Sequence, residues 1–394
     1  MLKAKKGMDV LLKKERVLAA LLLFITGFAK AQDDLDLSRM IGKIDSTNVF
    51  ISENYYTWGA SVVAGDDGKY HMFYSRWPHG RRLEKDDSLN YIFDGFAGWN
   101  KYSEIAYAVA EKMDGPYRHV KTILKGTGDP QKWNRFTYHN PLIRKFNGSY
   151  YLYFISNAFD SAYTLNRATT KENLQWLKYN CSQQIGVIKA ASIADLVNGN
   201  FAAPKVIMSP DNKNTFEVAT NPAVTEGPDG QFYMMYKSRR PNVGHMTFWI
   251  ATAPTPEGPF VTRGSVLNKA ETASEDPSMW YDKKRKRFYA VAKYYSNELV
   301  LAPQFGAMIL LTSENGFDWK PAQHTLVTLK EIRFKNGIKT SLHNLERPFV
   351  VTAPNGKPLA LFAAAAVNNP RDTNPDAVDK KHNTFNVHIP LFHK

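Results

Sequence analysis

Several large classes of protein are excluded by what this chain lacks. Its single cysteine, Cys181, cannot form a disulfide within the chain, so this is no disulfide-held scaffold. No glycine-rich loop cradles a nucleotide, and no His and Asp cluster has the spacing of a metal site. No arginine-rich stripe or recognition helix marks a nucleic-acid binder. Long amphipathic helices are missing too. The formal charge is +14, but the excess is scattered. Its densest cluster, "DKKRKR" at 282–287, reads as a solvated hairpin tip. A basic surface of this kind suits an acidic polysaccharide better than nucleic acid.

Long apolar runs are equally scarce. The one near the N-terminus, "VLAALLLFITGFA", follows Lys3, Lys5, Lys6, Lys13, Lys14 and Arg16 and ends in "AKA" before Gln32. A charged region, a short apolar region and small residues at the end are the marks of a signal peptide, and the run is short for a membrane span. Residues 1–31 are therefore expected to be a signal peptide cleaved after Ala31. Residues 32–394 would form one exported domain of charge +9, periplasmic or secreted and free of the membrane.

Internal repetition is abundant. Five stretches share one design: "GASVVAGDDGKYHMFYSR" from Gly59, "NPLIRKFNGSYYLYFIS" from Asn140, "NPAVTEGPDGQFYMMYKS" from Asn221, "DPSMWYDKKRKRFYAVAK" from Asp276 and "RPFVVTAPNGKPLALFAA" from Arg347. Each is a small or polar residue, usually then proline, a short apolar strand, a turn rich in Gly, Asp or Asn, and an alternating strand. Further short strands lie between them, and "AVAEKMDGPY" from Ala108 matches "ATAPTPEGPF" from Ala251. A β-sandwich also has many short strands, but five copies of one hairpin predict an all-β, single-domain, five-bladed β-propeller.

In a propeller the first strand of each blade lines the channel, so the residues opening the repeats converge on one rim. Those residues are Trp58 and Gly59, His139 and Asn140, Thr220 and Asn221, Glu275 and Asp276, and Glu346 and Arg347. Carboxylates, an imidazole and an arginine gathered at one rim are costly unless they are used. Trp133, Trp176, Trp249 and Trp319 are expected to pack between blades. Glu226, in "TEGPDG", falls at a hairpin turn, remote from the rim.

On the five hairpins, on "EDPS" in the fourth and on "NLERPFV" opening the fifth, the chain resembles the five-bladed propeller glycoside hydrolases, families 43, 32, 68 and 117. The resemblance implies a hydrolase of O-glycosyl bonds with two carboxyl groups flanking the scissile bond. Asp276 and Glu346 are the leading catalytic pair, with Glu275 as a third candidate. Family 43 usually has an aspartate at the start of blade one and a glutamate in blade three, where this chain has Gly59 and Asn221, so its triad does not carry over whole.

The candidate substrate-binding residues are Trp58 and Trp77 as stacking planes, Arg76, Arg239 and Arg347 as forked donors, and Glu104, Asn140 and Asn221. His139 and His343 are candidates for a sugar contact or a proton donor, or are structural. Arg76 in "YSRWP" and Arg239 in "KSRRP" read as equivalent positions. Residues 81–101 read as a long rim loop that closes a pocket and favours exo action. The implied substrate is an oligosaccharide or polysaccharide of plant or algal origin, with inversion, no required cofactor, and room in such channels for an ion such as calcium. The alternatives are a phosphorylase resembling family 130 and a non-catalytic glycan-binding propeller.

Overall fold

Each repeat folds as a hairpin and recruits two more strands, giving five four-stranded antiparallel sheets in a computed structural model that describes residues 34–80, 89–165, 168–211, 215–240, 244–372 and 382–392. Blade one is Tyr55–Ala64, Tyr70–Pro78, Glu104–Ala110 and Arg118–Leu124; blade two is Tyr138–Phe146, Ser149–Ser156, Gln184–Ala190 and Lys205–Met208. Blade three is Phe216–Glu226, Phe232–Arg239, Met246–Ala253 and Val261–Val266, and blade four is Ser274–Asp282, Arg287–Tyr294, Met308–Ser313 and Lys320–Thr328. Blade five takes Asn344–Thr352, Pro358–Ala366 and Thr384–Pro390, and its outermost strand is Val49–Phe50, with Val49 opposite Val387. All five sheets lie within one compact unit, Asp36–Lys394. The segment expected to be a signal peptide lies outside the described residues. Among those described, no helix is long and apolar enough to cross a membrane.

The second strand of each blade is apolar on both faces because each face meets a different neighbour. Phe73 and Tyr74 of blade one are both fully buried. Phe73 packs with Leu152 and Phe154 of blade two, whereas Tyr74 meets Phe50 of blade five edge-on at 4.8 Å. Strand alternation thus serves two interfaces at once. Burying one such aromatic contributes about 1.5–3 kcal/mol. Trp249 and Trp319 lie in these blade cores. Trp133 stacks on Phe154, but Trp176 stands with Trp99 and Phe93 among the inserted segments.

All five innermost strands carry a β-bulge at the same place. Its central residue has a left-handed backbone in every blade: Gly59 at φ 53°, Asn140 at 53°, Asn221 at 54°, Asp276 at 58° and Arg347 at 54°. Glycine takes this conformation freely and Asn and Asp tolerate it, while for Arg347 it costs about 1–2 kcal/mol. The bulge turns these side chains toward one another. Asn140 Nδ2 donates to Asn221 Oδ1 at 2.8 Å, Asn221 Nδ2 to Asp276 Oδ1 at 2.6 Å, and Arg347 Nη1 to Asp276 Oδ1 at 3.2 Å. A Cβ on Gly59 would lie 3.0 Å from Asn140 Oδ1 and 3.6 Å from Arg347 Nε, so Gly59 closes the ring. The five repeats therefore open at one end of one channel, as their sequences predict.

One expected equivalence fails. Ser75 pairs with Trp58, Lys237 with Thr220 and Lys293 with Glu275, so Lys237 corresponds to Ser75 and Arg76 to Ser238. Arg76 and Arg239 are one residue out of register, which in a strand means opposite faces.

Candidate active site at the propeller rim

At the ring end of the channel lies a pocket of about 160 Å³. Trp58, Trp77, Phe96 and Trp99 make its aromatic wall. Phe96 and Trp99 come from three short helical turns, Asn90–Phe93, Gly95–Gly98 and Trp99–Tyr102, between the second and third strands of blade one. Of the expected rim loop, residues 81–88 lie outside the described residues, and the rest is these turns rather than an extended loop. Phe96 meets Trp58 at 5.1 Å and Trp77 at 5.2 Å, both edge-on, and Trp99 stacks on His139 at 5.0 Å. His139 Nδ1 is 2.8 Å from Ser103 Oγ. Burial and the Arg347 charge push its pKa well below the usual histidine range, so the ring is neutral.

The polar side of the pocket has two parts, the ring residues Asn140, Asn221, Asp276 and Arg347, and the buried charges Lys237, Glu275 and Glu346, the last two of which bond Lys293 beyond the lining. Lys237 Nζ lies 2.8 Å from Glu275 Oε2, and Lys293 Nζ lies 2.8 Å from Glu275 Oε1 and bonds Glu346 Oε2. Asn344 Nδ2 also donates to Glu346 Oε2, at 3.1 Å. The order Lys237, Glu275, Lys293, Glu346 alternates in sign across blades three to five. Burial opposes charge on Glu275, but the two ammonium groups outweigh it and hold its pKa well below the glutamate range. For Lys293, burial is likewise overcome by the carboxylates, and its pKa is pushed up.

The three carboxyl groups are not alike. Both oxygens of Glu275 are taken by lysines. Asp276 accepts Asn221 and Arg347 on Oδ1, and Glu346 accepts Lys293 and Asn344 on Oε2. Among the described residues, Asp276 Oδ2 and Glu346 Oε1 carry no hydrogen bond, and both residues line the pocket. Burial raises the Asp276 pKa above the usual aspartate value, and the Glu275 and Glu346 charges add to this against the opposing Arg347 and Lys237. Asp276 thus holds a proton more readily than a free aspartate does.

Of the candidates from sequence, Asp276, Glu346, Glu275, Trp58, Trp77, His139, Asn140, Asn221 and Arg347 come together in this pocket. The others do not. Arg76 Nε bonds Glu104 Oε1 at 2.8 Å and its Nη2 bonds Thr122, so these two residues satisfy one another inside blade one. Arg239 pairs with Glu217 at 3.3 Å. His343 is exposed beside Asn344. Glu226 is exposed at the far end of its strand.

Sequence reasoning missed Lys237 and Lys293, which its own repeat could have found, since they sit at the same hairpin position. It also missed Phe96, Trp99 and Arg371 of the pocket lining. For a channel ion, no three His, Cys, Asp or Glu side chains gather among the described residues. Instead Arg144 of blade two donates to the carbonyls of Val224 and Met279 at 3.2 and 3.3 Å and lies 4.9 Å from the Phe349 ring. Burial lowers its pKa to about 10, so it stays charged at neutral pH. A guanidinium bound to two carbonyls does not fit the oxygen shell that calcium takes.

No family model and no curated protein matches the chain in sequence. Solved structures do resemble it. A family 117 glycoside hydrolase produced by the marine bacterium Zobellia galactanivorans superposes with a TM-score of 0.53 at 13% identity, covering 89% of each chain. The chain has the fold of the five-bladed glycoside hydrolase propellers. An α-L-arabinofuranosidase from Lactobacillus brevis gives 0.54 at 13% identity, over 91% of this chain and 95% of that one. The catalytic domain of a Coprinopsis cinerea family 62 α-L-arabinofuranosidase gives 0.52 at 12%, over 90% and 98%. At these identities the likeness is one of fold.

Proposed function

We propose that the protein is an exported glycoside hydrolase that removes a terminal sugar from a plant or algal polysaccharide fragment with inversion. The observation that carries this reading is the pairing of two inequivalent carboxyl groups, Asp276 and Glu346, each with one oxygen free of partners among the described residues, in an aromatic-walled pocket. Hydrolysis needs one carboxyl protonated and one ionised. Asp276, raised by burial, gives its proton from Oδ2 to the leaving glycosidic oxygen as the bond to the anomeric carbon breaks. Glu346 Oε1 takes a proton from the water whose oxygen bonds to that carbon. Glu275, locked between two lysines, holds the electrostatics of the rim constant. The closing of one side of the pocket by Phe96 and Trp99 favours chain ends over chain interiors.

The test is a panel of oligosaccharides with products followed by chromatography and the anomer of the released sugar read by NMR. The Asp276→Asn and Glu346→Gln variants should fold normally and lose orders of magnitude in turnover on any cleaved substrate, and Glu226→Gln should lose almost nothing. If both amide variants keep near-normal turnover, the pair is wrong. Gly59, where a family 43 enzyme has an acid, favours one other reading, a glycan-binding propeller, and binding without turnover across the whole panel would support it.

A further inference from the structure

The pocket has more donors than acceptors. Lys237 bonds Glu275 with one of its three ammonium protons, and no other partner of that group occurs among the described residues. Arg347 uses Nη1 on Asp276, while its buried Nε has no partner among the described residues. Arg371 stands exposed at the pocket, its guanidinium carbon 5.8 Å from the Phe96 ring, and no carboxylate pairs with it among the described residues. Among the described residues, three cations, Lys237, Arg347 and Arg371, line the pocket with three carboxyl groups, Glu275, Asp276 and Glu346, and a fourth cation, Lys293, bonds Glu275 and Glu346 without itself lining it. The excess is one positive charge, and two whenever Asp276 holds its proton. His139 adds none, being neutral.

We infer that the sugar entering this pocket carries an anionic substituent, a carboxylate or a sulfate ester, and that Arg371 is the specificity-determining residue that binds it. This deepens the hydrolase reading and rests on it for the premise that the pocket holds a sugar. The chemistry is that of a planar fork with paired donors, which fits two oxygens of a carboxylate or sulfate at once. The Phe96 ring lies within cation–π reach of the guanidinium, at 5.8 Å, and keeps it beside the pocket. A neutral hydroxyl would use one donor and leave the charge uncompensated.

Four probes test this by calorimetric titration at low salt, or by ligand-observed NMR where binding is weak: glucuronate and galactose 6-sulfate against glucose and galactose. At least one anionic probe is expected to bind about tenfold tighter than its neutral partner, and which one does so separates a uronate from a sulfated sugar. Arg371→Gln should abolish that preference with an unchanged unfolding midpoint, Arg371→Lys should keep part of it, and added salt should weaken it. Equal binding of charged and neutral probes, no binding of either anion, or a preference that survives Arg371→Gln would overturn the inference. Turnover of the oligosaccharide panel is scored separately. A preference without turnover leaves the anion site standing and removes the hydrolase; turnover of neutral sugars without a preference does the reverse.

Discussion

Replacing Lys293 by methionine keeps the length of the side chain and removes the one ammonium group shared by two buried carboxylates. Lys293, Glu275 and Glu346 have side chains only 10%, 15% and 12% exposed, so solvent cannot take over the lost charge. Glu275 would keep Lys237, but among the described residues Glu346 would keep only the Asn344 hydrogen bond. Breaking a buried pair by removing one partner costs about 3–5 kcal/mol, because a charge is left unpaired. That is a large share of the roughly 5–15 kcal/mol that holds a typical protein folded. Urea unfolding at pH 7, followed by tryptophan fluorescence, reads the loss directly.

The double variant Lys293→Met with Glu346→Gln removes both charges and should recover much of it, so the two substitutions should be non-additive. The pH dependence has a definite sign. Glu275 is depressed in the folded state, so its contribution is present above the ordinary glutamate pKa of about 4.3 and fades as the pH falls below it. Lys293 is raised, so its contribution is complete below the ordinary lysine pKa of about 10.4 and fades as the pH rises beyond it. The gap between wild type and variant should be widest between these limits. A loss under about 1 kcal/mol, the range of an exposed pair, or strict additivity, would refute the reasoning.

Asn221→Ala strips two hydrogen bonds from the ring and puts a Cβ without a compensating amide at φ 54°, which should cost about 2–5 kcal/mol in chemical denaturation. Asn221→Gly loses the same bonds but takes the backbone freely, so it should cost about 1 kcal/mol less than alanine. Lys286→Gly, at φ 50° in an exposed turn, should stabilise by about 0.5–1 kcal/mol, and a lower unfolding midpoint would contradict it. Arg347→Gln removes a cation that opposes the raised Asp276, so the alkaline limb of the pH–rate profile should move to higher pH. A limb that stays put would mean that another group supplies the proton.

The ring was legible in the sequence because each bulge residue precedes proline or, in blade one, alanine, and the hairpin turns that fix the count are rich in Gly, Asp or Asn in all blades but the fourth, whose turn is basic. The buried lysines were not. A lysine near a strand end ordinarily faces water, and only the pairing of Lys237 with Thr220 and of Lys293 with Glu275 turns both inward. Arg76 and Arg239 misled for a related reason: the shared letters "SR" outweighed the count from the turn, and one step in a strand changes the face. Phe96, Trp99 and Arg371 lie in insertions outside the repeat, so no periodicity pointed to them.

The pairing of Val49 with Val387 and Phe50 with Asn386 has a consequence in time. A chain made from its N-terminus onward can complete four sheets one after another as their strands appear, but the fifth waits for residues 384–390. Until they arrive, Val49–Phe50 has no partner strand, and the seam bonds from Thr57 N to Thr384 and from Ala60 N to Asn386 are unmade. Ring closure is the longest-range step in the molecule and should be its slowest. A nascent chain thus keeps an open seam between its first and fifth sheets until residues 384–390 are available.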